Sequence, residues 1–404
     1  MRLAFLTHEP FFPPSGGGSA EAVYLALELV RRGHAVELFC PRVADAREVE
    51  RRFGLRLHEF TTWPMGRYAK LRNLKYIFYP FFLQRMVQQA AAASRFDLII
   101  SQHSISAVAA GRLKRTLKIP VVMNFLDYLT AFMETWPAYL APPSLLGALK
   151  SFELSLPARF NADAVLTVSD ALADYFVAAG YPRERIRPIY YGYDAELFAP
   201  PDAEKTVATD QTRPTIVMHG SLDHHHLGRI ALDSIGVVTQ AFPSAVFKFV
   251  GTRTPAVEKF ANLAKARFPS VRVESAGFVP YAEVARHLAD ASVGIVPYEE
   301  STGVHCAFVA KAVEYLAVGL PTVCTPLRSI QTYFKDEPLI RFSGFDGASF
   351  GERIVSWLRE PPATRRALGL AASRRVKEHL DWGAISRRAI DFVEEVPAQV
   401  AARK

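Results

Sequence analysis

Lys311 and Glu314 are the two charged side chains of this sequence best placed to do chemistry together. Around them Val309, Ala312, Val313 and Leu316 follow i, i+3, i+4, i+7 spacing, which predicts a helix with both charges on the face opposite the core. Three residues apart, the two side chains are close enough to touch one ligand together. The simpler reading is an exposed ion pair that only solubilises the helix. Against it, Lys ahead of Glu is the less favourable order for helix support. Gly319 and Pro321 end the helix.

Three further groups invite a chemical reading. Gly17 and Gly18 close a Pro/Gly loop at the start of a helix, where bare backbone can approach an anionic ligand; a plain turn accounts for them equally well. His103 and Asp127 each follow a strand, at positions where an α/β site is lined or where a turn is capped. His224, His225 and His226 are consecutive, so their side chains diverge and no metal site is expected.

The elements that must carry these residues alternate between strand and helix. Residues 2–7 are a short apolar strand, a Pro/Gly loop runs through Gly18, residues 22–32 have helical spacing up to Gly33, and 35–40 are the next strand. Strands are predicted at 98–101, 121–125, 164–168 and 186–190, the pattern of a doubly wound α/β domain. Residues 199–214 read as a linker, after which strands at 215–219, 246–250, 271–275, 293–297 and 322–324 predict a second parallel-sheet domain. Residues 363–400 are largely helical, and the tail from about 385 to 404 is expected to pack back on the first domain.

A chain of 404 residues, half of them hydrophobic, fits two well-buried domains. Cys40, Cys306 and Cys324 lack disulfide or zinc spacing, and a reducing cytoplasm suits them. The opening residues read as a strand rather than a signal peptide, and no apolar run is long enough to span a bilayer. A formal charge of +8 favours anionic partners; without a dense basic tract, helix-turn-helix or zinc-finger spacing, nucleic acid is not expected among them.

The segment from 311 to 321, Lys-Ala-Val-Glu-Tyr-Leu-Ala-Val-Gly-Leu-Pro, resembles the donor-site motif of family-four, GT-B-type retaining glycosyltransferases. Ordered matches extend the resemblance along nearly the whole chain: 13–18, Arg32-Gly33-His34, 162–169, Gly192-Tyr193-Asp194 with Phe198, and Gly277-Phe278-Val279-Pro280. It implies two Rossmann-like domains facing a central cleft: an acceptor domain at 1–198, the linker at 199–214, and a nucleotide-sugar-binding domain at 215–384. It further implies metal-independent transfer of a sugar from a nucleoside diphosphate with retention at the anomeric carbon, and no cofactor beyond that co-substrate. On this resemblance Lys311 meets the diphosphate, Glu314 the ribose hydroxyls, and Val279 the base through its backbone. Gly220, Ser221 and Arg229 join Gly17 and Gly18 as donor-binding positions.

The chain departs from that pattern in three places. Cys306 stands where many relatives carry a Glu eight residues ahead of the one matched by Glu314, and Tyr191 where they carry Asn. After the strand at 215–219 two expected cations are missing, which leaves Arg229 or a protonated histidine to compensate. Residues 63–85 interleave Arg67, Lys70, Arg72, Lys75 and Arg85 with seven aromatic residues; this suits an anionic membrane surface and a lipid-linked or glycan acceptor, or an ordinary amphipathic helix. Two rivals stand beside the glycosyltransferase. A nicotinamide-dependent oxidoreductase lacks its G-x-G-x-x-G fingerprint here, and a glycan-binding scaffold would bind an acceptor without turnover.

Overall fold

The computed structural model describes residues 1–13, 17–62, 74–136, 138, 141–200, 213–220, 222 and 226–403. Ser221, His224, His225, residues 63–73 and most of the expected linker lie outside the described residues. The chain divides into two compact units, Met1–Tyr190 with Gly383–Lys404, and Tyr191–Trp382.

Unit 1 runs β1 (Arg2–Leu6), α1 (Gly17–Arg31), β2 (Ala35–Pro41), α2 (Ala46–Phe53), β3 (Arg56–Phe60), α3 (Lys75–Ala93), β4 (Leu98–Gln102), α4 (His103–Leu117), β5 (Val121–Phe125), α5 (Leu129–Phe132), α6 (Pro143–Arg159), β6 (Ala164–Thr167), α7 (Asp170–Ala178) and β7 (Ile186–Pro188). Among the described residues the strands form one parallel sheet in the order β3-β2-β1-β4-β5-β6-β7. β4 and β5 are buried along their whole length and β1 from Leu3 to Leu6, as expected of central strands covered on both faces.

Helix α1 begins at Gly17, ahead of the predicted start at 22, because Ser19, Ala20 and Glu21 continue its buried face. It ends as the sequence predicts: Gly33 adopts φ +82°, and the amide of His34 donates back to the Leu29 carbonyl at 3.1 Å. β3 escaped the sequence reading because it is an edge strand whose residues Arg56, Leu57, His58 and Glu59 remain partly or largely exposed.

Unit 2 runs β8 (Thr215–His219), α8 (Arg229–Ala241), β9 (Val246–Val250), α9 (Pro255–Arg267), β10 (Arg272–Gly277), α10 (Tyr281–Ala289), β11 (Val293–Val296), α11 (Thr302–Cys306), α12 (Ala310–Ala317), β12 (Thr322–Cys324), α13 (Arg328–Tyr333), β13 (Ile340–Phe342), α14 (Gly347–Arg359) and α15 (Pro362–Leu380). Its parallel sheet has the order β10-β9-β8-β11-β12-β13, with the three-residue strand β13 again an edge that the sequence pattern did not announce. The last helix, α16 (Trp382–Ala402), lies mainly in unit 1. There Arg32 pairs with Asp391 at 2.8 Å and Glu394 at 2.7 Å, and the Arg187 guanidinium lies over the Phe392 ring.

Among the described residues no helix is long and apolar enough to cross a membrane. Cys40, Cys306 and Cys324 are buried, and none forms a disulfide.

Candidate functional site

In unit 2 the sequence-predicted pair sits at the carboxyl ends of the strands, where an open parallel sheet binds ligands. Helix α12 corrects the expectation of a solvated charged face. Lys311 is 9% exposed and Glu314 4%, and the rest of the helix from Ala312 to Ala317 is buried with them. The i, i+3, i+4 stripe marks only part of what is covered, since this short helix is buried all round. A buried ammonium and a buried carboxylate need partners, and each has a tyrosine. The Lys311 Nζ donates to the Tyr298 hydroxyl at 3.1 Å, and the Tyr281 hydroxyl donates to Glu314 Oε1 at 2.7 Å. The other Glu314 oxygen, Oε2, takes a close contact from Nε2 of His219, the last residue of β8.

Glycines close the tips of three adjacent strands above this pair: Gly220 after β8, Gly251 after β9 and Gly277 at the end of β10. A Cβ on Gly251 would lie 2.2 Å from the Gly220 carbonyl oxygen, so these tips pack only as bare backbone. Gly220 is left-handed, φ +86°, and a Cβ there would stand 3.4 Å from Lys311 Nζ. The structure thus brings Gly220 and Lys311 together. His226 joins them through Tyr298, whose ring it meets edge-on with centroids 4.5 Å apart.

Arg229 is exposed at the first position of α8, and among the described residues no hydrogen bond or ion pair joins it to that group. The amino end of α8 already carries a carboxylate: Glu299 Oε1 accepts from the Ile230 amide at 2.9 Å, the place an anion would otherwise take. Val279 is half-buried in the loop between β10 and α10, two residues before Tyr281. Ser221 lies outside the described residues.

Unit 1 holds a second polar cluster at the tips of β1, β4 and β5, and it does contain the predicted Gly18, His103 and Asp127. His103 opens α4 with φ +64° and is 3% exposed. Its Nε2 is 3.7 Å from Glu9 Oε2, its ring meets that of His8 at 5.3 Å, and a Cβ on Gly18 would fall 2.8 Å from Nε2. Burial pushes the His103 pKa down, but Glu9, Asp127 and Glu21 outweigh it and the net shift is upward.

Glu21, on the inner face of α1, was not anticipated. Its Oε2 accepts from Gln102 Nε2 at 3.0 Å and from Asn124 Nδ2 at 2.9 Å, while Gln102 also donates to the Gly18 carbonyl at 2.8 Å and accepts from the Thr7 hydroxyl at 2.8 Å. Burial pushes the Glu21 carboxyl up to about 7, against the pull of those amides and of His103. Asp127 is half-buried and adds to that upward push. Gly17 begins α1 one residue before Gly18.

Two parallel sheets with glycine-lined tips, one of them over a buried Lys and Glu, define a class. The chain belongs to the family-four, group 1 glycosyltransferases: the sequence model of Glycosyltransferase Family 4 matches residues 15–197, and that of Glycosyl transferases group 1 matches residues 213–360. Solved structures of the GT-B fold superpose over nearly the full length. Sucrose-phosphate synthase from Thermosynechococcus elongatus gives a TM-score of 0.76 at 17% identity, covering 98% of this chain and 99% of its own. Anabaena Alr3699/HepE in complex with UDP and glucose gives 0.71 at 16% identity, covering 97% and 99%. The catalytic domain of Starch Synthase IV from Arabidopsis thaliana, bound to ADP and acarbose, gives 0.68 at 11% identity, covering 98% and 99%. At these identities the likeness establishes the fold, and no curated protein sequence matches the chain.

Proposed function

We propose that this glycosyltransferase moves a hexosyl unit from a nucleoside-diphosphate sugar to a glycan, a lipid-linked sugar or a small-molecule acceptor, with retention at the anomeric carbon and without a metal ion. The observation that carries the reading is the buried Lys311 and Glu314 pair beneath the bare backbone of Gly220. Lys311 neutralises the diphosphate, with Gly220 and Ser221 offering backbone to it and Arg229 reaching it only from its exposed place on α8. Glu314 accepts from the ribose hydroxyls, and the base meets the backbone at Val279. In unit 1, Gly17 and Gly18 leave room for the reacting sugar, and His103 and Asp127 orient the acceptor hydroxyl. In the transfer step the bond from C1 to the β-phosphate oxygen breaks and the acceptor oxygen bonds to C1 on the same face. The acceptor's proton passes to the departing phosphate, which serves as base.

A peripheral membrane location, at the cytoplasmic face, is supported by α3. Ile77, Phe78 and Phe81 are exposed on it, and the sequence between Glu59 and Asp97 holds six Lys and Arg residues with no Asp or Glu. Exposed apolar side chains on a stretch of sequence rich in Lys and Arg match an anionic lipid surface. To test the donor assignment, purified protein is incubated with a panel of nucleotide sugars, and thermal stabilisation and hydrolysis are measured. Silence toward every nucleotide and sugar nucleotide refutes it, while acceptor binding without turnover favours a glycan-binding scaffold.

A further inference from the structure

Glu314 is held at both ends of its carboxylate. His219 reaches Oε2 from the tip of β8, 95 residues away in sequence, and Tyr281 reaches Oε1 from the first turn of α10, 33 residues away. Neither partner is loose. The His219 ring is 4% exposed and packs edge-on against Tyr315 at 5.2 Å, and the Tyr281 ring rests against Phe198 at 5.1 Å. A carboxylate oxygen has two acceptor directions, so one protein donor on each leaves one direction open on each. Two such openings on one rigid carboxylate match two neighbouring hydroxyls. An unrestrained Glu would lose rotamer freedom when it bound them, worth about tenfold in affinity.

We propose that His219 and Tyr281 are positioning residues that hold the Glu314 carboxylate ready for the vicinal diol of a nucleotide's ribose, and so set the site's preference for ribose over its deoxy forms. This rests on the reading of Glu314 given above. The opposite arrangement, in which the Tyr281 hydroxyl competes with the ligand for Glu314, makes the reverse prediction.

Calorimetry on the full chain distinguishes the two. UDP, GDP and ADP are titrated, and the tightest is compared with its 2′,3′-dideoxy counterpart. The ribose form binds the unmodified protein about tenfold or more tightly. In Tyr281→Phe that ratio shrinks several-fold while the dideoxy affinity stays constant, and His219→Gln, which keeps a donor, retains more of the ratio than His219→Ala. Tighter ribonucleotide binding by Tyr281→Phe, or equal weakening of both forms, overturns the proposal. If no nucleotide binds the unmodified protein, the donor reading falls. The positioning role is then decided by proton NMR of the nucleotide-free protein. A slowly exchanging His219 ring N–H that disappears in Glu314→Leu upholds it, and absence of that signal from the unmodified protein overturns it.

Discussion

Replacing Glu21 by Gln should make unit 1 more stable at alkaline pH and no different at acid pH. Its carboxyl ordinarily titrates near 4.5 and is raised to about 7, chiefly by burial. An acid whose folded pKa is raised favours the folded state while it is protonated; stability is therefore lost as pH rises from about 4.5 and has fallen by the full amount above about 7. Each tenfold change in proton affinity is worth ~1.4 kcal/mol, so ionisation of Glu21 costs about 3 kcal/mol. Gln keeps the shape, and its side-chain carbonyl can accept from Gln102 and Asn124, but it carries no charge. The assay is calorimetric unfolding of both proteins between pH 4.5 and 8.5, read as the difference in the unit 1 transition so that other titrations cancel. The expected gap opens from near zero to roughly 6–12 °C at pH 8.5. A gap that stays flat, or a variant less stable at pH 8.5, would mean that Glu21 is ionised throughout and that its charge is what holds the two amides.

Lys311→Ala should lower kcat/KM with the preferred donor by about 100-fold or more while far-UV circular dichroism is unchanged; near-normal turnover would show that Lys311 does not meet the diphosphate. In Gly251→Ala the new Cβ would approach the Gly220 carbonyl to 2.2 Å, and backbone cannot swing aside as a side chain can. Unit 2 should lose about 1–3 kcal/mol, and an unshifted unfolding transition contradicts that packing. Ile77→Glu with Phe81→Glu should abolish co-flotation with vesicles containing phosphatidylglycerol and leave donor hydrolysis in solution unaltered. Flotation equal to that of the unmodified protein removes α3 from the membrane reading.

Sequence pattern was enough for the alternation of central strands and helices, because β1, β4, β5, β8 and β11 are apolar runs and Gly33 and Gly319 punctuate the helices after them. It was silent on β3 and β13, which are edge strands with half-exposed, mixed residues. The helix at 311–321 was legible as a site through its motif, yet its burial was not, since spacing on one helix says nothing of what covers the other face. Tyr298, Tyr281 and His219 escaped notice because they join Glu314 and Lys311 only through strand order. Glu21 left a fainter trace that could have been followed: an acid between Ala20 and Ala22 on an otherwise apolar helical face asks for a partner. His103 and Asp127 could be placed at strand tips, but their shared environment with Glu9 and Glu21 needed the register of β1, β4 and β5.

The left-handed backbone of His103 bears on how such proteins change over time. At φ +64° a histidine carries a penalty of about 1–2 kcal/mol that a glycine would not. A descendant with glycine there would gain backbone ease from a single substitution, at the price of the ring. Backbone energy thus favours drift toward glycine at this position, and what opposes it is what the imidazole touches, the His8 ring and the Glu9 carboxylate.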